Sequence, residues 1–161
     1  MERQRRTEKT TKLRVAISNR CERLSFQEEK VRTFFDVVST FHDVPLEGEL
    51  SIAFLNDSEM SDLHERFLQD PTPTDVLTFP GDENERFAGE ICVSAERAWT
   101  ESVSRGISFS QEMCLYLVHG WLHLKGYDDH SESDRQAMRR AEKETLGEVE
   151  ARRAIPIFSM D

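Results

Sequence analysis

An α+β domain, built on a small mixed β-sheet of about four strands covered by helices, is expected from three features of the chain. Four segments carry strand patterning and five carry helical patterning, in the order βαβαββααα. The most apolar helical segment, 108–126, carries two histidines one turn apart, as in the metal helix of zincins. Hydrophobic residues make up 37% and charged residues 32% of 161 positions, which suits one polar-surfaced domain with a real core and not a disordered chain.

"LRVAISNR" (13–20) alternates apolar and polar positions and reads as a strand. "SFQEEKVRTFFDVVSTF" (25–41) has helical apolar spacing, and Ser25 with Glu28 forms a capping-box pattern at its start. "ELSIAFLN" (49–56) is the next strand, followed by a short helix over 57–68 with Asp57 or Ser58 as cap. "QDPTPTD" (69–75) is a proline-punctuated loop. "DVLTFP" (75–80) and "GEICVS" (89–94) read as strands separated by an acidic loop. A helix over 95–106 stops at Gly106. The 108–126 helix begins near Ser110, Gln111 and Glu112 and ends at Gly126. A charged helix over 131–153 closes the pattern. This organisation predicts a basic N-terminal arm (1–12), a single domain (13–153) and a C-terminal tail (154–161).

The net charge is −10, which does not favour bare nucleic acid as a partner. The charge is uneven, however. Residues 1–14 hold six Arg or Lys against Glu2 and Glu8, a net of +4, so the rest carries −14. The arm reads either as a solvated terminus or as a segment that touches phosphates. No apolar run approaches the ~20 residues needed to span a bilayer, so no membrane partner is expected. The N-terminal stretch has no apolar segment of secretory type. Cys21, Cys92 and Cys114 lack CxxC spacing and read as reduced thiols, and a cytoplasmic protein is expected.

"HGWLHLKGYDDH" (119–130) holds three of the five histidines. His119 and His123 stand four apart on one helical face, so both imidazoles can point at one ion. Gly126 allows a sharp turn that brings a third donor back over the helix: Asp128, Asp129 or His130. Three protein donors with one open position is the pattern of catalytic zinc, and imidazole with carboxylate favours zinc among common ions. A buried helix with hydrogen-bonded histidines is the plainer account of the pair, since Leu115, Val118, Leu122 and Leu124 surround it. A peptidase of H-E-x-x-H type needs a Glu directly after the first His; Gly120 stands there instead.

These residues resemble the YbeY family of bacterial rRNA maturation endoribonucleases. The family signature H-G-x-L-H-L-x-G-Y-D-H matches this segment through Asp128. "PTDVLTFP" (73–80) resembles the family's P-T-D-V-L-S-F-P, "GEICVS" resembles its G-D-I-x-I-S strand, and Leu55–Asn56 falls where the family has the same pair. The similarity spans roughly residues 50 to 135. It implies a zinc-dependent, single-strand-specific endoribonuclease acting in rRNA maturation, at the small-subunit rRNA 3′ end, and in ribosome quality control. The implied partners are single-stranded RNA and the ribosome or its small subunit, and the implied cofactor is one Zn2+ per chain.

The resemblance implies His119 and His123 as metal ligands with catalytic roles. The family's third ligand follows the first by ten positions, which is Asp129, with His130 as the alternative. The family's functional arginine falls at Leu68, and Arg66 is the nearest substitute for contacting a phosphate. Thr74 and Tyr127 are candidate substrate contacts, and Asp128 is a candidate partner for the second nitrogen of a ligating imidazole. Asp128 and the Thr74–Asp75 pair also read simply as turn residues. Trp121 is expected in the core, and His42 and His64 as surface or packing histidines. Two other functions stay open: a metal-dependent hydrolase of a non-RNA substrate, and a non-catalytic ribosome-assembly factor with a structural metal.

Overall fold

The computed structural model describes residues 13–41, 46–69 and 74–161. The basic arm, His42 and most of the proline loop lie outside these residues. Strands β1 (Arg14–Asn19), β3 (Glu49–Leu55), β4 (Val76–Asp82) and β5 (Phe87–Ser94) form one mixed sheet in the order β1-β3-β5-β4. The first three run parallel, and β4 returns antiparallel along the edge of β5. Ile17, Ile52 and Ile91 fall in one row across the parallel strands. The helices are α1 (Glu28–Thr40), α2 (Asp57–Leu68), α3 (Ala95–Arg105), α4 (Phe109–Leu124) and α5 (Glu132–Ala151). The fold is therefore the mixed sheet covered by helices that the element order predicted.

Side chains alternate across the pleat, so each strand feeds two cores. Leu50, Ile52 and Phe54 of β3 join Ile91 and Val93 of β5 in the main core, with Phe34, Phe35 and Val38 of α1 and Met113, Leu117 and Trp121 of α4. Ala53, Leu55 and Cys92 face the other way, onto Met60 of α2. Burying one such large apolar side chain stabilises the fold by roughly 1.5–3 kcal/mol. Helix α4 is apolar nearly all round because it packs against β4, β5, α3 and α5 at once.

Three helix caps differ from expectation. Ser25 does not cap α1. It belongs to β2 (Leu24–Ser25), which pairs with β6 (Ser159–Met160), and Gln27 occupies the cap position without a side-chain bond. Pairing with the distant C-terminus outcompeted the local capping pattern. Helix α2 is capped by Asn56, whose side chain accepts from Glu59 N at 2.8 Å, and not by Asp57 or Ser58. Helix α4 falls within the segment read as 108–126, and its cap is Ser108, in a capping box with Gln111, where Ser110 and Gln111 or Glu112 were read near the start. Residues 154–161, read as a tail, place Ala154 and Phe158 in the main core.

Candidate metal centre

The site is built on the C-terminal half of α4. Gly120 sets how closely this helix can approach the sheet. A methyl group there would come within 2.6 Å of Ile91 Cγ2 and 3.2 Å of Val76 Cγ1. The position that carries a general-base Glu in zincins therefore faces the sheet and has no room for any side chain. His119 and His123 lie off that face, each with a side chain 25% exposed.

Helix α4 ends in a Schellman arrangement. Gly126 N–H donates to His123 O and Tyr127 N–H to Leu122 O, each at 3.0 Å, with Gly126 at φ 99°, a conformation that favours glycine. The chain then doubles back and delivers Asp129. Asp128 Oδ1 accepts from Asp129 N at 2.8 Å, and Arg135 of α5 donates to the carbonyls of Asp129 and His130 at 3.4 and 3.3 Å. Ser131 caps α5 by accepting from Asp134 N. These backbone contacts hold an exposed turn in place.

His119 Nε2 and His123 Nε2 lie 3.0 Å apart. Asp129 Oδ2 lies 3.8 Å from the first and 3.5 Å from the second. Three atoms at these separations share a centre about 2 Å from each, the length of a bond from imidazole nitrogen or carboxylate oxygen to zinc. The donor set thus fits a metal ion. His130 does not join this triad: its side chain is 86% exposed, its Nε2 sits 3.2 Å from Asp128 Oδ1, and it clusters with Asp128 and Asp129 on the outer side of the turn.

The carboxylate beside a ring nitrogen of the pair is Glu142 of α5, whose Oε1 lies 3.5 Å from His119 Nδ1. Asp128, the sequence candidate for that place, instead braces the turn and faces His130. Burial alone would lower the His119 pKa. The hydrogen bond and charge of Glu142, with the charges of Asp75 and Asp129, outweigh burial and raise it above the usual 6.5.

A cleft of about 670 Å³ opens beside His119 and Glu142. Thr74 and Asp75 form part of its wall, as do Arg97 and Arg105 of α3 and Arg139 of α5. Arg105 reaches the buried carboxylate of Glu112 at 3.2 Å, and Arg97 pairs with Glu101 at 3.4 Å. Arg66 is exposed in the last turn of α2 and is not among the residues lining this cleft. Tyr127 is half-buried against the main core, and Trp121 is fully buried in it. Sequence reasoning missed Glu142 and the cleft arginines. The signal for Glu142 was its place next to Ala141 on the rim of the apolar stripe of α5; for the arginines it was the i, i+8 spacing of Arg97 and Arg105 on one helix face.

Comparison with known proteins identifies the family. The family model described as Endoribonuclease YbeY matches residues 16–150. The Endoribonuclease YbeY of Carboxydothermus hydrogenoformans is 31% identical over 133 residues, covering 81% of this chain and 93% of that protein. The protein of the same name from Acholeplasma laidlawii is 29% identical over 130 residues, covering 79% and 95%. The solution structure of TM1509 from Thermotoga maritima shares the fold, with TM-score 0.54 and 22% identity over 89% of this chain and 95% of that one. The match runs from β1 almost to the end of α5 and so takes in the sheet, the histidine helix and the turn after it: the chain belongs to the YbeY family.

Proposed function

We propose that the protein is a zinc-dependent endoribonuclease that cleaves single-stranded RNA. The observation that carries this reading is the convergence of His119, His123 and Asp129 on one point beside an arginine-bearing cleft. Family membership supports RNA as the substrate, because the matched relatives are named endoribonucleases. The imidazole and carboxylate donors suit zinc. Zinc, when bound, supplies Lewis acidity next to a phosphodiester and makes water acidic enough to ionise near neutral pH.

The chain's own residues do the rest. His119, His123 and Asp129 would hold the ion. Arg139, Arg97 and Arg105 supply guanidinium groups for phosphate oxygens along the cleft, a task the sequence assigned to Arg66. Thr74 lines the same cleft. Tyr127 offers an aromatic edge near the turn for an unpaired base. Gly120 removes the peptidase base, which argues against peptide substrates.

The biological substrate we propose is rRNA, at the 3′ end of the small-subunit rRNA, with a role in ribosome quality control in the cytoplasm. An acidic chain of net charge −10 reaches such a substrate by docking on the ribosome more readily than by attraction to bare phosphate. No helix among the described residues is long and apolar enough to cross a membrane. His130 turned onto Asp128 favours an open catalytic ion over a structural one closed by four protein ligands.

The test is metal analysis and RNA cleavage on protein purified without chelator or tag nickel. About one zinc per chain and cutting of an unstructured RNA are expected, and His119→Ala should remove both. Retained stoichiometric zinc in that variant, or a metal-replete protein that leaves RNA intact while hydrolysing esters or peptides, overturns the reading. Arg139→Ala should weaken RNA binding more than Arg66→Ala at unchanged metal content; the reverse order restores Arg66 to the role.

A further inference from the structure

We infer that Glu142 is a positioning residue for the metal centre: from α5 it holds the His119 ring in the tautomer and orientation that leave Nε2 free to bind an ion. This role rests on the reading of His119, His123 and Asp129 as metal donors. Nδ1 and Nε2 occupy opposite edges of the imidazole. Glu142 Oε1 lies 3.5 Å from Nδ1, while Nε2 faces His123 and Asp129. An ionised carboxylate only accepts hydrogen bonds, so the proton on His119 belongs on Nδ1 and the lone pair on Nε2. A ring protonated on the other nitrogen could not ligate from that edge.

The support under Glu142 is stiff. Its side chain is 14% exposed, and it sits among Met138, Ala141 and Thr145, all buried where α5 packs on α4. Thr145 Oγ1 donates to Ala141 O at 2.7 Å inside that contact. A carboxylate this enclosed needs a polar partner to offset its lost hydration, and the group it faces is His119. Its arm comes from a different helix than the one carrying the two imidazoles, so the contact also ties α5 to the site. Partners of this kind orient a ligating imidazole and raise its basicity.

The experiment compares the parent with Glu142→Ala, Glu142→Gln and Glu142→Met. Each protein is stripped with chelator, and its zinc dissociation constant is measured by competition with a chromophoric chelator. Cobalt absorption spectra report the geometry of the site. Glu142→Ala should bind zinc about 10- to 100-fold more weakly. Glu142→Gln keeps an acceptor for Nδ1–H and should recover most of that loss. Glu142→Met matches the length without an acceptor and should bind as weakly as Ala. Parent-like affinity in the Ala variant overturns the inference, and so does recovery by Met equal to that by Gln, which would mean packing alone. A parent protein that binds no zinc overturns the metal reading itself, an outcome distinct from the other two.

Discussion

The two imidazoles and the carboxylate of the site are held by opposite means. His119 and His123 ride on α4, whose other faces are pressed into the core through Met113, Leu117, Trp121 and Leu122. Asp129 rides on a turn with a side chain 41% exposed, fixed where its N–H donates to Asp128 Oδ1, where Arg135 donates to its carbonyl, and by the Gly126 terminus. Core packing fixes position by excluding alternatives, whereas a hydrogen-bonded surface turn is fixed by a few exchangeable contacts with water as competitor. On the proposed metal reading, two donors are preformed and the third is the adjustable one. That division gives the pair its geometry without an ion and lets the turn accommodate one.

The largest effect expected is on the adjustable donor. Asp129→Ala should lower zinc affinity by at least about 100-fold, beyond what loss of a supporting partner costs. Its metal-free form should melt where the parent's does, because the lost side chain packs against little. His130→Ala should leave affinity unchanged. Loss of metal in the His130 variant alone would show that the turn shifts by one residue on binding and would overturn the assignment of Asp129. The rigid side of the comparison answers to Gly120→Ala. A methyl group there meets the side chains of Ile91 and Val76, which must repack or let the helix lift from the sheet, at a cost of about 1–3 kcal/mol in urea-melt stability. A neutral outcome would mean α4 has more freedom on the sheet than its contacts imply.

The same contrast explains what was legible in the residues. Alternation and helical spacing located all four strands of the main sheet and all five helices, since each is a local pattern read by one face of the core. The histidine pair was visible because four positions make one helical turn. Asp129 was visible only through spacing in the resemblance, as nothing local distinguishes it from Asp128 or His130. Glu142 follows Asp129 by thirteen positions along a helix rich in acids, and only the packing of α5 on α4 singles it out from Glu144 or Glu148. Arg97 and Arg105 look like solvated helix charges until α3 is laid beside α4. Ser25 misled because a nearby capping pattern carries no information about a strand partner at Ser159.

A smaller effect probes the wall between the rigid helix and the cleft. Glu112 lies on α4 with its carboxyl buried, and burial raises its pKa above 4.5 against the opposing pull of Arg105 and the Tyr116 hydroxyl. A carboxyl with a raised folded-state pKa binds its proton more tightly in the native protein than in the unfolded chain. Its ionised form therefore costs stability at neutral pH, and that cost disappears as pH falls toward the unfolded value. Removing Arg105 enlarges the neutral-pH cost. Arg105→Ala should lose about 1–2 kcal/mol at pH 7, discounted because the arginine is half exposed, and the gap to the parent should close as pH falls toward the ordinary carboxyl range and Glu112 takes up its proton. A gap that is equal at both pH values would show that Arg105 acts through packing of its stem, with no electrostatic share.

The smallest effect is a predicted absence of change. Cys114 lies on the core side of α4, and burial pushes its thiol up to about 12. Thiolate, the reactive form, is then scarce at pH 8, and the reagent has no path to the sulfur without opening the helix. Its modification by a disulfide reagent reports how often α4 leaves the core. If the imidazole pair is preformed, stripping the metal should leave that rate within about twofold of the loaded protein, while both rates rise together in urea. Faster modification of the stripped protein in native buffer would place the ion among the things that hold α4 down. The division between a packed helix and an adjustable turn would then give way to a site whose two halves assemble together around the metal.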